Sequence, residues 1–177
     1  MDSRKYKVLV VDDNEAVRAL IVKVLSVEGH RCVTAKDGSE AIKATIENSF
    51  DAVITDIVMP GMDGITLTRE LSKEHEKLPI MILTGHDVQY SPESAIAAGA
   101  REFIRKPFSV DEFITRFRKM MRDHELACTV EAKKNQIIFT IHTEFAEKIE
   151  RLEREVGRLR GALPSKYSSC TSFDPVF

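Results

Sequence analysis

Short apolar runs alternate with stretches in which apolar residues recur every three or four positions, and this alternation fills the first two-thirds of the chain. "YKVLVV" (6–11) precedes "NEAVRALIVKVLSVEG" (14–29), where Val17, Leu20, Ile21, Val24 and Leu25 share a helical face and Gly29 is the expected stop. "RCVTA" (31–35) leads to "GSEAIKATIENS" (38–49), with Ser39 the expected N-cap. "DAVIT" (51–55) precedes "GITLTRELSKEH" (64–75), and "PIMILT" (79–84) precedes "SPESAIAAG" (91–99), with Ser91 and Pro92 as cap and first helical residue. "REFIR" (101–105) leads into "SVDEFITRFRKMM" (109–121). Five βα units with continuous apolar strands predict an α/β fold, a parallel sheet covered by helices on both faces. Such sheets bind ligands beyond the carboxyl ends of their strands.

The remainder follows a different pattern. Residues 128–163 are charge-rich and helical, and "PSKYSSCTSFDPVF" (164–177) reads as a disordered tail. The 177 residues accommodate one ordinary domain and an appendage, and 43% apolar content supports a real core. With 26 basic and 28 acidic residues, the formal charge of −2 gives no global attraction to nucleic acid or an anionic membrane. No apolar run reaches the ~20 residues of a membrane span, and "MDSRKYK" is not an apolar signal segment. Cys32, Cys128 and Cys170 are far apart and lack metal-ligand spacing. Unpaired thiols suit a reducing compartment, so a cytoplasmic location is expected.

Candidate chemistry gathers where the strands end. The first ends at Asp12 and Asp13, the third at Asp56, the fourth at Thr84, and the fifth just before Lys106 and Pro107. A parallel sheet brings these to one rim. An acid before a helix can simply be an N-cap, and Asp13 alone admits that role. Asp56 does not, because Pro60, Gly61 and Gly64 separate it from the next helix. Clustered carboxylates repel and raise one another's pKa unless a cation intervenes. Hard oxygen ligands suit Mg²⁺, which retains waters and accepts phosphate oxygens. A carboxylate can itself take a phosphoryl group as an acyl phosphate. Lys106 and the metal would then hold the transferred oxygens, and the Thr84 hydroxyl would donate to one of them.

Together "VLVVDDNEAVR", "DAVITDIVMPGMDG", "IMILTG" and "AREFIRKPFSVDEF" closely resemble the receiver domain of two-component response regulators over residues 5–122. The resemblance implies a doubly wound, flavodoxin-like sheet of order 2-1-3-4-5. It makes Asp12 and Asp13 the acidic metal pair, Asp56 the phosphoacceptor and Val58 a metal ligand through its carbonyl. Thr84 becomes the switch hydroxyl, Lys106 the phosphate-contacting lysine, Pro107 the proline after a cis peptide and Phe103 the switch aromatic. In that family a cognate histidine kinase supplies the phosphoryl group, and the change remodels the face formed by the fourth helix, fifth strand and fifth helix. Such a protein catalyses only its own phosphorylation and dephosphorylation. Positions 58 and 86, which tune dephosphorylation in the family, hold Val58 and His86. Val58 cannot orient an attacking water. His86 is either a solvated loop histidine or a group that can.

Too few residues follow for a further globular output domain, and no helix-turn-helix pattern suggests DNA binding. Residues 135–163 scan instead as heptads, within an output segment of 123–163. With Ile149 at a, the a positions are Asn135, His142, Ile149, Val156 and Leu163, and the d positions are Ile138, Phe145, Leu152 and Leu159. Lys148 pairs with Glu153, and Glu155 with Arg160, across g and e′. This pattern predicts a parallel homodimeric coiled coil that signals to a downstream protein. The competing arrangement is a single amphipathic helix folded back on the receiver. The phase extends backwards without a stutter to Ile114, Phe117 and Met121, and no Gly or Pro lies between Pro107 and Gly157, so the fifth helix could continue as one rod. His142 on a dimer helix also raises the alternative of built-in phosphotransfer machinery. Kinase histidines are usually followed by an acidic residue, however, and here Thr143 follows. The absence of an ATP-binding Gly-rich motif also favours a signalling module over such a hybrid.

Overall fold

The computed structural model describes residues 4–85 and 92–161. His86, Ser91, Leu163 and the segment 164–177 therefore lie outside the described residues. Five strands, β1 (Lys7–Val11), β2 (Arg31–Ala35), β3 (Ala52–Asp56), β4 (Ile80–Thr84) and β5 (Glu102–Arg105), alternate with five helices. The helices are α1 (Glu15–Val27), α2 (Gly38–Glu47), α3 (Gly64–Glu74), α4 (Pro92–Ala97) and α5 (Val110–Gly161). All pairings are parallel and the sheet order is β2-β1-β3-β4-β5. This is the fold class and strand order expected from the sequence. Residues up to Leu126 form one compact unit and those from Ala127 a second.

Alternation along the strands divides the core. On one face Val8, Val10, Ile54 and Leu83 pack with Ile21 and Leu25 of α1 and with Phe113, Phe117, Met120 and Met121 of α5. On the other, Leu9, Val11, Val53 and Ile80 pack with Ala41, Leu67 and Leu71 of α2 and α3. With both faces covered, β3 and β4 are buried at every position, which explains their unbroken apolar runs.

Side-chain caps start the helices. Asn14, not Asp13, caps α1, accepting from the Ala16 and Val17 amides. Asp13 is thereby left without the cap role that the sequence allowed it. The cap of α2 is Asp37 rather than Ser39: its extended backbone lets the carboxylate accept from Glu40 N at 2.8 Å, while Glu40 accepts from Lys36 N. Gly38 therefore already lies in the first turn. Asp63 caps α3 through Thr66 N at 2.7 Å, and the Ser109 hydroxyl accepts from Glu112 N as α5 begins. The sequence allowed 109–121 to continue into the later segment as one rod, and α5 is a single helix of 52 residues.

Within the first unit, α5 is tied to the start of β1. The Tyr6 hydroxyl donates to Glu125 at 2.9 Å, and Arg4 pairs with the same carboxylate at 3.2 Å. Burial, followed by the Glu125 contacts, pushes the Tyr6 phenol up to about 12. Tyr6→Phe is expected to cost about 0.5–1.5 kcal/mol in urea denaturation at neutral pH. Because the folded value exceeds the unfolded one, the wild-type advantage is fully present below about pH 10 and shrinks as pH rises towards 12. An unchanged difference across that window would refute this role for the phenol.

Candidate functional site: an acidic pocket at the strand ends

Parallel strands present their carboxyl ends on one rim, so the residues that follow β1, β3, β4 and β5 meet there. Asp12 and Asp56 are 1% and 8% exposed, whereas Asp13 is exposed. Lys106 reaches in from the end of β5. Its ammonium lies 2.7 Å from Asp12 Oδ2 and 3.2 Å from Asp56 Oδ1. The backbone positions this lysine, since Lys106 N donates to Thr84 O at 2.6 Å and the Lys106-Pro107 peptide is cis. Asp12 is held from both sides. Its Oδ1 accepts from Asn14 N at 2.9 Å, and its backbone carbonyl accepts from the Arg18 guanidinium.

One carboxylate oxygen from each of Asp12, Asp13 and Asp56 lies within 4.8 Å of the others. Burial raises the Asp56 carboxyl above the ordinary carboxylate value and Asp12 adds to this, while Lys106 opposes it. Asp56 Oδ1 is buried with no hydrogen-bond partner, and its ion-pair partner is the Lys106 ammonium 3.2 Å away. Three carboxylates against one ammonium leave negative charge in a confined space. A convergent set of oxygen donors, one of them orphaned, fits a hard divalent cation such as Mg²⁺.

The other sequence-identified residues fall around this pocket. Thr84 closes β4, is 2% exposed, and directs its hydroxyl to Gly85 O at 3.4 Å. Val58 follows Asp56 by two residues and is 49% exposed. Phe103 on β5 is half-buried against a cluster containing Ile57, Ile65, Ile82 and Ala95. The seam positions are remote in sequence, all on α5: Ile138, His142, Phe145, Ile149, Leu152, Val156 and Leu159 are exposed. Ile114, Phe117 and Met121, in the same heptad phase, are instead buried in the core against the sheet.

Gly64 has a part in the site that the sequence did not reveal. A Cβ on it would stand 1.9 Å from the backbone oxygen of Asp56 and 2.8 Å from its carbonyl carbon. Gly64 N donates to Ile57 O at 2.8 Å, so the start of α3 lies directly against the end of β3. Gly61, at φ +80, makes the turn that brings the chain back. The "GMDG" spacing was visible, but the close approach depends on the folded loop.

The family described as the response regulator receiver domain matches residues 8–118. Response regulator MprA of Mycobacterium sp. (strain KMS) is 37% identical over 116 residues, covering 66% of this chain and 50% of that protein. The MprA of Mycobacterium leprae is 34% identical over the same length. This chain spans about half the length of these relatives. Among solved structures, NtrX of Brucella abortus aligns with TM-score 0.69 at 35% identity, covering 72% of this chain and 29% of that one. TrrA of Thermotoga maritima, in complex with Mg²⁺ and BeF, aligns with TM-score 0.60 at 34% identity, covering 66% of this chain and 99% of that one. Sheet order, acidic pocket and sequence match agree, and the chain belongs to the response regulator receiver domain family.

Proposed function

We propose that Asp56 accepts a phosphoryl group from a phosphohistidine of a cognate histidine kinase, and that the chain passes the resulting change to a downstream protein as a parallel homodimer. The convergence of Asp12, Asp13 and Asp56 on Lys106, with an orphaned Asp56 oxygen, carries this reading. An Asp56 oxygen attacks phosphorus as the P–N bond of the donor breaks, and the electron pair of that bond goes to the histidine nitrogen. The Lys106 ammonium pairs with the transferred oxygens, and the Thr84 hydroxyl turns from Gly85 O to donate to one of them. As the Thr84 hydroxyl turns inward, Phe103 follows it within its apolar surroundings. Asp12, Asp13, Asp56 and the Val58 carbonyl would hold Mg²⁺, which would supply charge neutralisation for the phosphoryl oxygens. The chain catalyses no reaction beyond its own phosphorylation and hydrolysis, acts in the cytoplasm, and contacts neither DNA nor membrane; among the described residues no helix is long and apolar enough to cross one.

The test is incubation of the full chain with acetyl phosphate, or with beryllofluoride as a mimic, with and without Mg²⁺. Modification that requires the cation is expected. No modification under any condition would overturn the reading.

Phosphoryl lifetime follows from Val58. An apolar, half-exposed side chain beside the acceptor offers no hydrogen bond to an attacking water. Val58→Asn is expected to hasten loss of the phosphoryl group by about tenfold, the worth of one aligned hydrogen bond in the transition state. The decay of labelled protein in Mg²⁺ measures this, and equal or slower decay in the variant contradicts it.

A further inference from the structure

In a heptad seam, apolar positions are separated alternately by three and four residues. From Ile149 towards the C-terminus α5 obeys this rule through Leu152, Val156 and Leu159. Towards the N-terminus it does not. The unbroken heptad would continue through Phe145, His142, Ile138, Asn135 and Glu131, placing a polar residue in most layers. The apolar residues run instead from Ile149 through Phe145 and Ile141 to Ile137, in three successive steps of four. Consecutive fours mark a stutter, an insertion that unwinds a left-handed supercoil locally. An α-helix has about 3.6 residues per turn, so each step of four moves the stripe about 40° around the helix, away from the line of a strict 3.5 repeat.

Several features of α5 agree with that path. The helix is unbroken through this stretch, so the stripe lies on one continuous surface. Ile137, Ile138 and Ile141 are all large, apolar and exposed. The strict heptad would bury only Ile138 and leave Ile137 at c and Ile141 at g. Thr140 and Thr143 lie off the stripe, their hydroxyls donating back to Gln136 O and Phe139 O, both at 3.0 Å, and the exposed Phe139 lies off it as well. Flanking charges select the occupant. Lys148 opposes Glu153, and Glu155 opposes Arg160, only when a second copy lies parallel and in register.

We infer that two copies of this chain pack in parallel along a stuttered seam of Ile137, Ile138, Ile141, Phe145 and Ile149, with His142 on its flank and open to solvent. The inference rests on the dimer proposed above and assigns its contact surface. Each layer from Ile137 to Leu159 is then apolar. The hydrophobic driving force is continuous where the strict heptad would interrupt it at His142.

Single cysteines at position 141, 142 or 156 of the full chain test this, in a background with Cys32, Cys128 and Cys170 replaced by alanine. A disulfide across a parallel dimer needs Cα atoms about 4.4–6.8 Å apart, which seam positions meet and flanking positions do not. Sedimentation of each variant first establishes the dimer. Val156→Cys, in the seam under either register, is expected to cross-link rapidly, Ile141→Cys comparably, and His142→Cys several-fold more slowly. Ile141→Asn should also weaken the dimer by about tenfold, equivalent to 1.4 kcal/mol, while His142→Asn should leave it nearly unchanged. Fast cross-linking at 142 with slow cross-linking at 141 would overturn the stutter and leave the dimer standing. A monomer in sedimentation, with no cross-link at 156, would overturn the dimer and the seam together. A dimer that fails to cross-link at 156 would exclude the parallel arrangement and with it this seam.

Discussion

Asp56→Asn protein is expected to take up no phosphoryl group from acetyl phosphate at any Mg²⁺ concentration. The amide has nearly the same shape as the carboxylate but lacks the anionic oxygen that attacks phosphorus. Asp12→Ala should leave measurable labelling only at much higher Mg²⁺, because it removes a hard anionic ligand while keeping the acceptor. Labelling of Asp56→Asn at the wild-type level would show that the acceptor lies elsewhere. A second readout of the same variant concerns stability. Asp56 is almost fully buried, and burial raises its pKa, so the ionised form costs folding free energy at neutral pH. With a raised folded value, the favourable contribution is present below the unfolded carboxylate value and is lost as pH rises through the folded one. Asp56→Asn should therefore be more stable than wild type in chelator at pH 7, and Mg²⁺ should raise its Tm less. The site gives up stability in the free protein for a charge that a cation and a phosphoryl group can use.

Much of this architecture can be read from the chain because periodicity and burial are coupled. The apolar runs 8–11, 52–54 and 80–83 could be fully buried strands only if helices covered both faces, and β3 and β4 are buried throughout. Polar residues at four strand ends imply a shared rim only once the sheet is known to be parallel, and the β1–β3 and β3–β4 registers provide that. Cap identity was harder. Asp13 and Asn14 are adjacent, as are Asp37, Gly38 and Ser39, and a one-residue shift in the helix start decides which of them caps. The extent of α5 was open because its middle has weak helix formers in Thr129, Val130 and Asn135, yet no breaker. The Lys106 contacts with Asp12 and Asp56, and the orphaned oxygen on Asp56, come from three-dimensional placement that no spacing rule encodes.

Gly64→Ala is expected to damage both fold and site. The added methyl would fall 1.9 Å from the Asp56 backbone oxygen, far inside van der Waals contact, and the obstructing group is backbone rather than a movable side-chain tip. Relief requires the end of β3 or the start of α3 to shift, and both are anchored. Gly64 N bonds to Ile57 O, Gly64 O accepts from the Thr68 hydroxyl at 2.6 Å, and Asp63 caps the helix. On the strand side, Thr55 Oγ1 donates to the same Asp56 oxygen at 2.9 Å, in a fully buried position. Overpacking of this kind costs about 3 kcal/mol, and its displacement falls on the acceptor residue itself. Labelling by acetyl phosphate should fall by at least about tenfold, since sub-ångström misplacement of a reacting group is enough for that. Gly61→Ala is the control. It sits at φ +80 with open space around its α-carbon, so it should cost about 1 kcal/mol of backbone strain and leave labelling intact. Urea denaturation and acetyl phosphate uptake on the two variants separate the cases. A Gly64→Ala protein as stable and as readily labelled as Gly61→Ala would mean that the loop yields without moving Asp56.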